Sequence, residues 1–349
     1  MTADNGRAGG AVEAGPKRPV FDWDARPRPA LWHRGDGAER RVWRQYWVDD
    51  VTVGLAELVH YARFRAGPID ACSAFGARTG VHLGIQVHRG SLWLARGAAR
   101  RLRPDLPRDT EQAWLADMFA GIGRTFAEFS VLPQIARTRC RLHGTDHLDA
   151  AQAAGRPVIL AMVHLGSWEA GMAAVARHQR AAGRAVHLIY QPPPNRFRHW
   201  IAVRARARAG ITLLPPGKRG TRPALQVLDR GGALILAVDE GFDNYVYGPF
   251  LGRRPALRGN YHTLVRLARR TGAAVLPFWT LRGDGAWFDV EIGAPVSLFD
   301  DGDAGPALTK PQALDAVLRL DAVLSPLVLT HLQQWYMLHQ FRTLRGDFA

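Results

Sequence analysis

Short apolar runs alternate with amphipathic segments through the second half of the chain. The runs from Val158 to Val163 and from Ala233 to Val238 contain no polar residue, which is typical of strands buried on both faces of a parallel sheet. Shorter apolar or alternating runs predict further strands at 137–143, 186–190, 212–214, 274–280 and 287–292. Apolar residues at helical spacing predict helices at 146–154, 168–178, 196–209, 221–230, 260–271 and 311–340, the last interrupted at Pro326. This order predicts an α/β fold with a mostly parallel central sheet flanked by helices.

The first 135 residues have a different pattern. Residues 1–38 are rich in Gly, Ala, Pro and charge without periodicity, which predicts a disordered tail. From Val42 to Arg103 the pattern is helical with Gly interruptions, and a further amphipathic helix is predicted at 110–129. We therefore expect an N-terminal helical region over 39–135 and an α/β region, carrying the site, over 136–345.

Composition adds limits on the partners. The chain has 349 residues, 47% of them hydrophobic, with 46 Lys and Arg against 31 Asp and Glu, which gives a net charge of +15. Anionic lipid, an acidic carrier protein and nucleic acid all suit this charge; the alternative explanation of the excess is a composition rich in Ala, Arg and Gly throughout the chain. Two distant cysteines form neither a disulfide framework nor a metal site.

No apolar stretch reaches the roughly 18 to 20 residues needed to cross a bilayer, so we expect any membrane contact to be peripheral. The candidate surface lies within residues 41–100, where aromatic and basic side chains mingle. Its aromatic members are Trp43, Tyr46, Trp47, Phe64, Phe75 and Trp93. Such a mixture suits a membrane interface, but it also suits a packed helical core.

The candidate chemistry centres on His164 and Glu169, which follow the first buried strand. Gly166 permits a turn, and Ser167 is a plausible N-cap for the next helix. His164 and Glu169 can meet only if His164 lies on the turn before that helix. An imidazole beside a carboxylate can accept a proton from an alcohol near neutral pH. The alternative is that both side chains only cap the helix.

No Gly-x-Ser-x-Gly elbow is present, and Cys72 and Cys140 lack an evident activating partner. A base without a protein nucleophile suggests activation of a substrate hydroxyl for direct attack.

Further candidates follow the second buried strand and lie in the next helices and loops. Asp239 and Glu240 come directly after that strand, so they should share the carboxyl edge of the sheet with His164. Arg204 and Arg206 lie two apart on a predicted helix, so only one or two arginines there can face the site. A loop punctuated by glycines, including Gly252, could hold an anionic group. A solvated surface is the alternative for each.

Together these segments resemble the lipid A biosynthesis, or late, acyltransferase family, which includes the phosphatidylinositol mannoside acyltransferases. The resemblance covers about 250 residues in an ordered series of motifs. These are Ala98-Ala-Arg-Arg-Leu-Arg-Pro-Asp-Leu-Pro107, Gly123-Arg-Thr-Phe-Ala-Glu-Phe129, Gly144-Thr-Asp-His-Leu148, Gly155-Arg-Pro-Val-Ile-Leu160, His164-x4-Glu169, Tyr190-Gln-Pro-Pro-Pro-Asn195, Arg206 to Gly210, Asp239, Phe250-Leu-Gly252, Gly272-Ala-Ala-Val-Leu-Pro277 and Gln334-Trp-Tyr-Met-Leu-His339.

The resemblance implies a glycerolipid-acyltransferase-like fold and transfer of an acyl chain from an acyl-carrier-protein or coenzyme A thioester to a hydroxyl of an anionic glycolipid. His164 would take the proton, with Glu169 or Asp239 orienting it. Amides near Gly166 and Ser167, together with Arg206, would stabilise the oxyanion, and Arg204 is a further implied substrate-binding residue. The remaining substrate-binding residues implied are Asn195 and Gly252. No metal, cofactor or nucleic acid is expected, and the implied location is peripheral, at the cytoplasmic face of the plasma membrane.

The chain departs from the family pattern at several positions. Gln191 replaces an arginine, Glu240 replaces an amide or histidine, and Met337 replaces a tryptophan; the basic pair after the last motif is reduced to 340–342. The acceptor could therefore differ from lipid A, and a lysophospholipid, polyol or natural product remains open. A non-catalytic protein that binds lipid or nucleic acid is the alternative from another class.

Overall fold

Seven strands form one mixed sheet at the centre of the computed structural model, which describes residues 28–32, 34–242, 245–300, 307–343 and 347. The strands of the described residues are β1 Cys140–His143, β2 Val158–Met162, β3 Val186–Ile189, β4 Ile211–Leu214, β5 Ala233–Ala237, β6 Gly241–Phe242, β7 Tyr245–Val246, β8 Ala274–Arg282 and β9 Phe288–Ile292. The sheet order is β1-β9-β8-β2-β5-β3-β4, and β6 and β7 form a separate antiparallel pair. All sheet neighbours are parallel except β8 and β9.

Helices cover both faces of the sheet and form the N-terminal region. The α-helices of the described residues are α1 Gly37–Arg44, α2 Asp50–Phe64, α3 Ile69–Val81, α4 Arg89–Leu102, α5 Glu111–Ala127, α6 Leu132–Thr138, α7 Thr145–Ala153, α8 Trp168–Ala181, α9 Arg196–Ala209, α10 Lys218–Asp229, α11 Gly259–Thr271 and α12 Lys310–Thr330. Gln45–Asp49 and His82–Val87 are π-helical, and Glu128–Ser130, Leu332–Gln334 and Tyr336–Gln340 are 3₁₀-helical. The predicted α/β fold with an N-terminal helical region is confirmed.

The strand β2 shows why its sequence is apolar throughout. Its alternate residues Val158, Leu160 and Met162 belong to a core shared with α6 to α9. The intervening residues Ile159 and Ala161 belong to a second core, shared with α5 and α10 to α12. Because both faces of the strand are covered, no position on it can be polar without losing its solvation.

The N-terminal helices pack against the same core as the sheet, through buried residues such as Tyr61 and Cys72. The disordered tail was predicted over residues 1–38, and residues 1–27 of it lie outside the described residues. Helix α1 begins at Gly37, within the predicted tail.

Most aromatic side chains of the candidate membrane surface make contacts within the protein. For example, the indole N–H groups of Trp43 and Trp47 donate to backbone carbonyls. Trp93 is 73% exposed and is the clear exception.

The prediction that Pro326 interrupts the last helix is wrong, since α12 continues to Thr330. A proline inside a helix removes one backbone hydrogen bond. Here the flanking residues Leu324 and Val328 are fully buried. Packing of this face therefore outweighs the loss, and the chain turns into 3₁₀ segments only after residue 331.

Helices α3 and α5 cross at glycines. A Cβ atom placed on Gly123 would lie 2.1 Å from the carbonyl oxygen of Gly76 and 2.5 Å from the Cα of Gly80. Neither neighbour is the end of a flexible side chain, so a larger residue must push the two helices apart. This close crossing holds the N-terminal helices against the helix that carries the family's Gly123 motif.

We expect Gly123→Ala to lower the free energy of unfolding by about 1–3 kcal/mol, because the added methyl group overpacks the crossing. Urea denaturation of the whole protein measures this. Gly97→Ala in α4 is the matched control, because a Cβ there meets no atom within 4 Å, and it should stabilise by about 0.5–1 kcal/mol. Equal stability of the two variants would contradict the proposed crossing.

Candidate active site

The register of β2 and β5 brings two predicted site residues together. Met162 pairs with Ala237 at the last position of these parallel strands. His164 and Asp239 each follow two residues later, so they emerge side by side at the carboxyl edge. His164 Nδ1 lies 2.7 Å from Asp239 Oδ1. A carboxylate can only accept a hydrogen bond, so the proton of the neutral imidazole is on Nδ1, and Nε2 carries the lone pair.

The carboxylate of Asp239 is fully buried and is held by three donors. Its Oδ2 accepts from the backbone N–H of His164 and from Trp335 Nε1, both at 2.8 Å. The third donor is the His164 ring. A buried carboxylate needs such donors to remain charged, and here they also determine its orientation. Of the two carboxylates that the sequence left open, Asp239 makes the hydrogen bond to His164.

Glu169 instead forms a buried ion pair with Arg206 of α9. Arg206 Nε donates to Oε2 at 3.0 Å and Nη2 donates to Oε1 at 2.5 Å. The indole of Trp168 donates to the same carboxylate at 3.0 Å. Both oxygens of Glu169 are therefore occupied. In Arg206, Nη1 is buried without a hydrogen-bond partner among the described residues.

The environment of His164 affects its pKa in two opposing ways. Burial lowers the pKa, but the charge and hydrogen bond of Asp239, with smaller contributions from Glu240 and Glu169, outweigh burial and raise the pKa above its ordinary value. Burial also raises the pKa of the Glu240 carboxyl, against the attraction of the imidazolium. The Nε2 atom of His164 lies 3.9 Å from Glu240 Oε2, and 9% of the His164 side chain remains exposed.

Three aromatic side chains form a wall beside His164: Trp168, Tyr336 and Phe126. The ring of Trp168 meets the imidazole edge-on at 4.9 Å, and Tyr336 packs on Trp168 at the same separation. Phe126 touches both and is 49% exposed. This aromatic wall gives the imidazole an apolar border on one side, opposite in character to Glu240.

The structure engages Gly166 and Asn195 in its own backbone. The N–H of Gly166 donates to the carbonyl of Gln334 at 3.0 Å, so it is not available to a substrate. The hydroxyl of Ser167 is fully buried and has no hydrogen-bond partner among the described residues. Asn195 caps α9 by accepting from the N–H groups of Phe197 and Arg198.

Arg204 and Gly252 are not brought to His164 by any contact in the described structure. Arg204 is exposed and stacks on Trp200 at 4.6 Å, on the outer face of α9. Gly252 is exposed in a turn with φ +84°. That turn is held from inside by Arg253, which donates to the carbonyls of Phe250 and Pro249.

The C-terminal segment contributes residues whose role the sequence did not reveal. Trp335 is fully buried on Asp239, and its backbone bridges Leu165. The N–H of Tyr336 donates to the carbonyl of His164 at 2.9 Å. The motif Gln334 to His339 was the available signal, but only the fold shows that it runs beside residues 164–166.

Neither cysteine is suited to act as a nucleophile. Burial raises the pKa of Cys72 to about 12 and that of Cys140 to about 12, so both thiols stay protonated at neutral pH. Neither thiol is therefore available as a thiolate nucleophile at neutral pH.

A cavity of about 220 Å³ adjoins the aromatic wall on the side of α5. Its apolar lining includes Met118 and Ile122, together with Trp168 and Tyr336 of the wall. Its charged lining residues are Arg124, Arg282 and Asp117, of which Arg282 is ion-paired with Glu128 at 2.7 Å, and Gly121 also lines it.

Comparison with known proteins identifies relatives of the chain. The family model described as bacterial lipid A biosynthesis acyltransferase matches residues 45–343. Two curated relatives from Mycobacterium tuberculosis, strains CDC 1551 / Oshkosh and ATCC 25618 / H37Rv, are each described as phosphatidylinositol mannoside acyltransferase. They are 32% and 33% identical over 154 residues, covering 40% of this chain and 47% of each relative. The chain thus spans about half the length of the curated relatives it matches.

The contacts around His164 can be tested by NMR titration of its ring. We expect the pKa of His164 to lie above the ordinary value of about 6.5, and Asp239→Asn to move it below that value. The variant removes the two largest stabilising contributions to the imidazolium and leaves burial, which favours the neutral ring. An unaltered His164 titration in the variant would contradict this geometry.

Proposed function

The chain belongs to the bacterial lipid A biosynthesis acyltransferase family, and from this premise we propose that it transfers a fatty acyl chain from a thioester to a hydroxyl group of a glycolipid. The family predicted from the motifs is thereby confirmed. The observation that carries the proposed activity is the hydrogen bond between His164 Nδ1 and Asp239, which leaves Nε2 without a hydrogen-bond partner among the described residues.

In the proposed reaction, His164 Nε2 accepts the proton of the acceptor hydroxyl while the hydroxyl oxygen attacks the thioester carbonyl carbon. Asp239 holds the ring in the required tautomer and stabilises the imidazolium that forms. The tetrahedral intermediate then collapses, the C–S bond breaks, and the imidazolium returns the proton to the departing thiolate. The products are an ester and a free thiol.

The oxyanion of the intermediate needs a donor, and we propose Arg206 Nη1 for this task. Glu169 occupies the other side of the guanidinium and so holds Arg206 in one orientation. A preorganised donor to a developing oxyanion contributes about 3–4 kcal/mol in characterised enzymes. In this proposal Glu169 is a positioning residue, since it acts through Arg206 rather than on His164.

We propose that the cavity beside the aromatic wall receives the thioester donor. Coenzyme A and the prosthetic group of acyl-carrier protein both present a phosphate ahead of the thioester. The apolar lining at Met118 and Ile122 suits the organic part of that group, and the guanidinium of Arg124 suits its phosphate. Trp168 and Tyr336 line the cavity and also contact the His164 ring, so the thioester end of the donor would approach His164 along these two side chains.

The acceptor and location follow from the family as further parts of the proposal: an anionic glycolipid, reached from the cytoplasmic face of the plasma membrane. No helix among the described residues has both the length and the apolar character to cross a bilayer. Helix α4 supports surface contact, because exposed Trp93 lies one turn after exposed Arg89. An indole among basic residues favours the interface of an anionic membrane.

We expect His164→Ala to lower acyl transfer by about 10²- to 10⁴-fold, because the general base is lost. Purified protein would be given labelled acyl thioester and a membrane lipid extract, and labelled lipid ester would be counted. In the wild type, kcat/KM should rise with pH through a midpoint above about 6.5, since only neutral His164 accepts a proton and its pKa is raised. Transfer by His164→Ala at the wild-type rate would overturn the mechanism.

We expect Gly121→Leu to raise the KM for the thioester donor about tenfold, equivalent to about 1.4 kcal/mol, and to leave the KM for the acceptor unchanged. The new side chain would occupy the cavity without a clash, because a Cβ on Gly121 meets no atom within 4 Å. Gly97→Leu, on the exposed face of α4, is the matched control. An unchanged donor KM, or an equal change in both variants, would rule out donor binding in the cavity.

A further inference from the structure

We propose that Glu240 binds a second hydroxyl group of the acceptor, next to the one that is acylated, and thereby selects diol-bearing sugars. This inference rests on the proposed function, since it takes His164 Nε2 as the place where the reacting hydroxyl sits. It assigns a specificity-determining role to a residue at which the chain departs from the family pattern.

The distance between the two groups carries the proposal. Glu240 Oε2 lies 3.9 Å from His164 Nε2, on the side of the ring that Asp239 does not use. That separation is too long for a direct hydrogen bond. A hydroxyl oxygen that binds Nε2 would therefore lie beside the carboxylate, and a second hydroxyl on a neighbouring carbon would come within hydrogen-bond length of Glu240.

Glu240 is also the carboxylate at the site that is still available. Asp239 and Glu169 have both oxygens occupied by donors within the protein. Glu240 has no hydrogen-bond partner among the described residues, and its side chain is 32% exposed. A partly buried carboxyl without a partner is costly, and a hydroxyl from the substrate would supply the missing donor.

The chemistry of the group favours a hydroxyl as its ligand. An ionised carboxylate only accepts hydrogen bonds, and a protonated one can also donate, so a hydroxyl matches either form. The guanidinium of Arg206 is committed to Glu169 through two of its nitrogens. Glu240 is therefore not neutralised by a direct ion pair with Arg206 and remains able to bind the acceptor.

The test removes Glu240 and the second hydroxyl separately and together. Wild type and Glu240→Ala would be assayed with octyl α-mannoside and with its monodeoxy derivatives, each lacking one hydroxyl. For the wild type, loss of one particular hydroxyl other than the acylated one should lower kcat/KM about tenfold. In Glu240→Ala, which has no side-chain hydrogen-bonding group, the parent acceptor should itself react about tenfold more slowly, mainly through KM, and the further loss from that deoxy derivative should shrink to less than about twofold.

The controls separate binding from folding. Glu39→Ala makes the same chemical change at an exposed residue of α1 and should retain the wild-type hydroxyl preference. Glu240→Ala should react with the critical deoxy derivative about as fast as the wild type does, which a misfolded protein would not.

The outcomes distinguish this inference from the activity on which it rests. If Glu240→Ala keeps the full wild-type penalty for every missing hydroxyl, the role of Glu240 is overturned while acyl transfer stands. If the wild type esterifies the membrane lipid extract but no sugar diol, the inference again falls alone. If the wild type transfers acyl groups to none of these acceptors, the proposed function falls and takes the inference with it.

Discussion

The arrangement of the site depends on one buried carboxylate. Asp239 accepts hydrogen bonds from the ring and backbone of His164 and from the indole of Trp335. It therefore joins the ends of β2 and β5 to the C-terminal segment of the chain. Removing any donor leaves a buried charge with too few partners, which costs much more than an exposed hydrogen bond is worth. The same contacts that make the edge of the sheet rigid also leave Nε2 of His164 to a substrate.

A second buried charge pair orders the opposite side of the site. Glu169 belongs to the first turn of α8, and Arg206 belongs to α9, so their ion pair joins two helices on one face of the sheet. Breaking such a pair typically costs about 3–5 kcal/mol, because the remaining charge stays buried. The acid of the His-x4-acid motif thus contacts the arginine motif of the next helix. The two family motifs act together through that pair rather than independently on the imidazole.

The two sides of the His164 ring differ in polarity. The aromatic wall of Phe126, Trp168 and Tyr336 is apolar and borders a cavity with two arginines. Glu240 presents a carboxylate without a hydrogen-bond partner among the described residues. In the proposed reaction the phosphate-bearing donor takes the first side and the hydroxyl-bearing acceptor takes the second.

The element boundaries were largely readable from the sequence, because each follows from local periodicity. The buried strands β2 and β5 have no polar residue, and α9 was predicted at its observed bounds, Arg196–Ala209. Local signals failed where packing overrides propensity: α12 passes through Pro326, and the small strands β6 and β7 carried no pattern of their own. Gly76, Gly80 and Gly123 could be seen in the sequence, but their role at the crossing of α3 and α5 depends on which helices meet.

The sequence by itself determined the fold class, the family and the presence of an imidazole among acidic residues at the edge of the sheet. Only the tertiary structure decided which side chains hydrogen-bond to each other. His164 contacts Asp239 rather than Glu169, Glu169 contacts Arg206, and Asp239 also contacts Trp335. The physical reason is distance along the chain. Periodicity reports neighbours within a helix or strand, whereas these contacts join residues 37 to 96 positions apart, and strand order and register alone bring them within hydrogen-bond length.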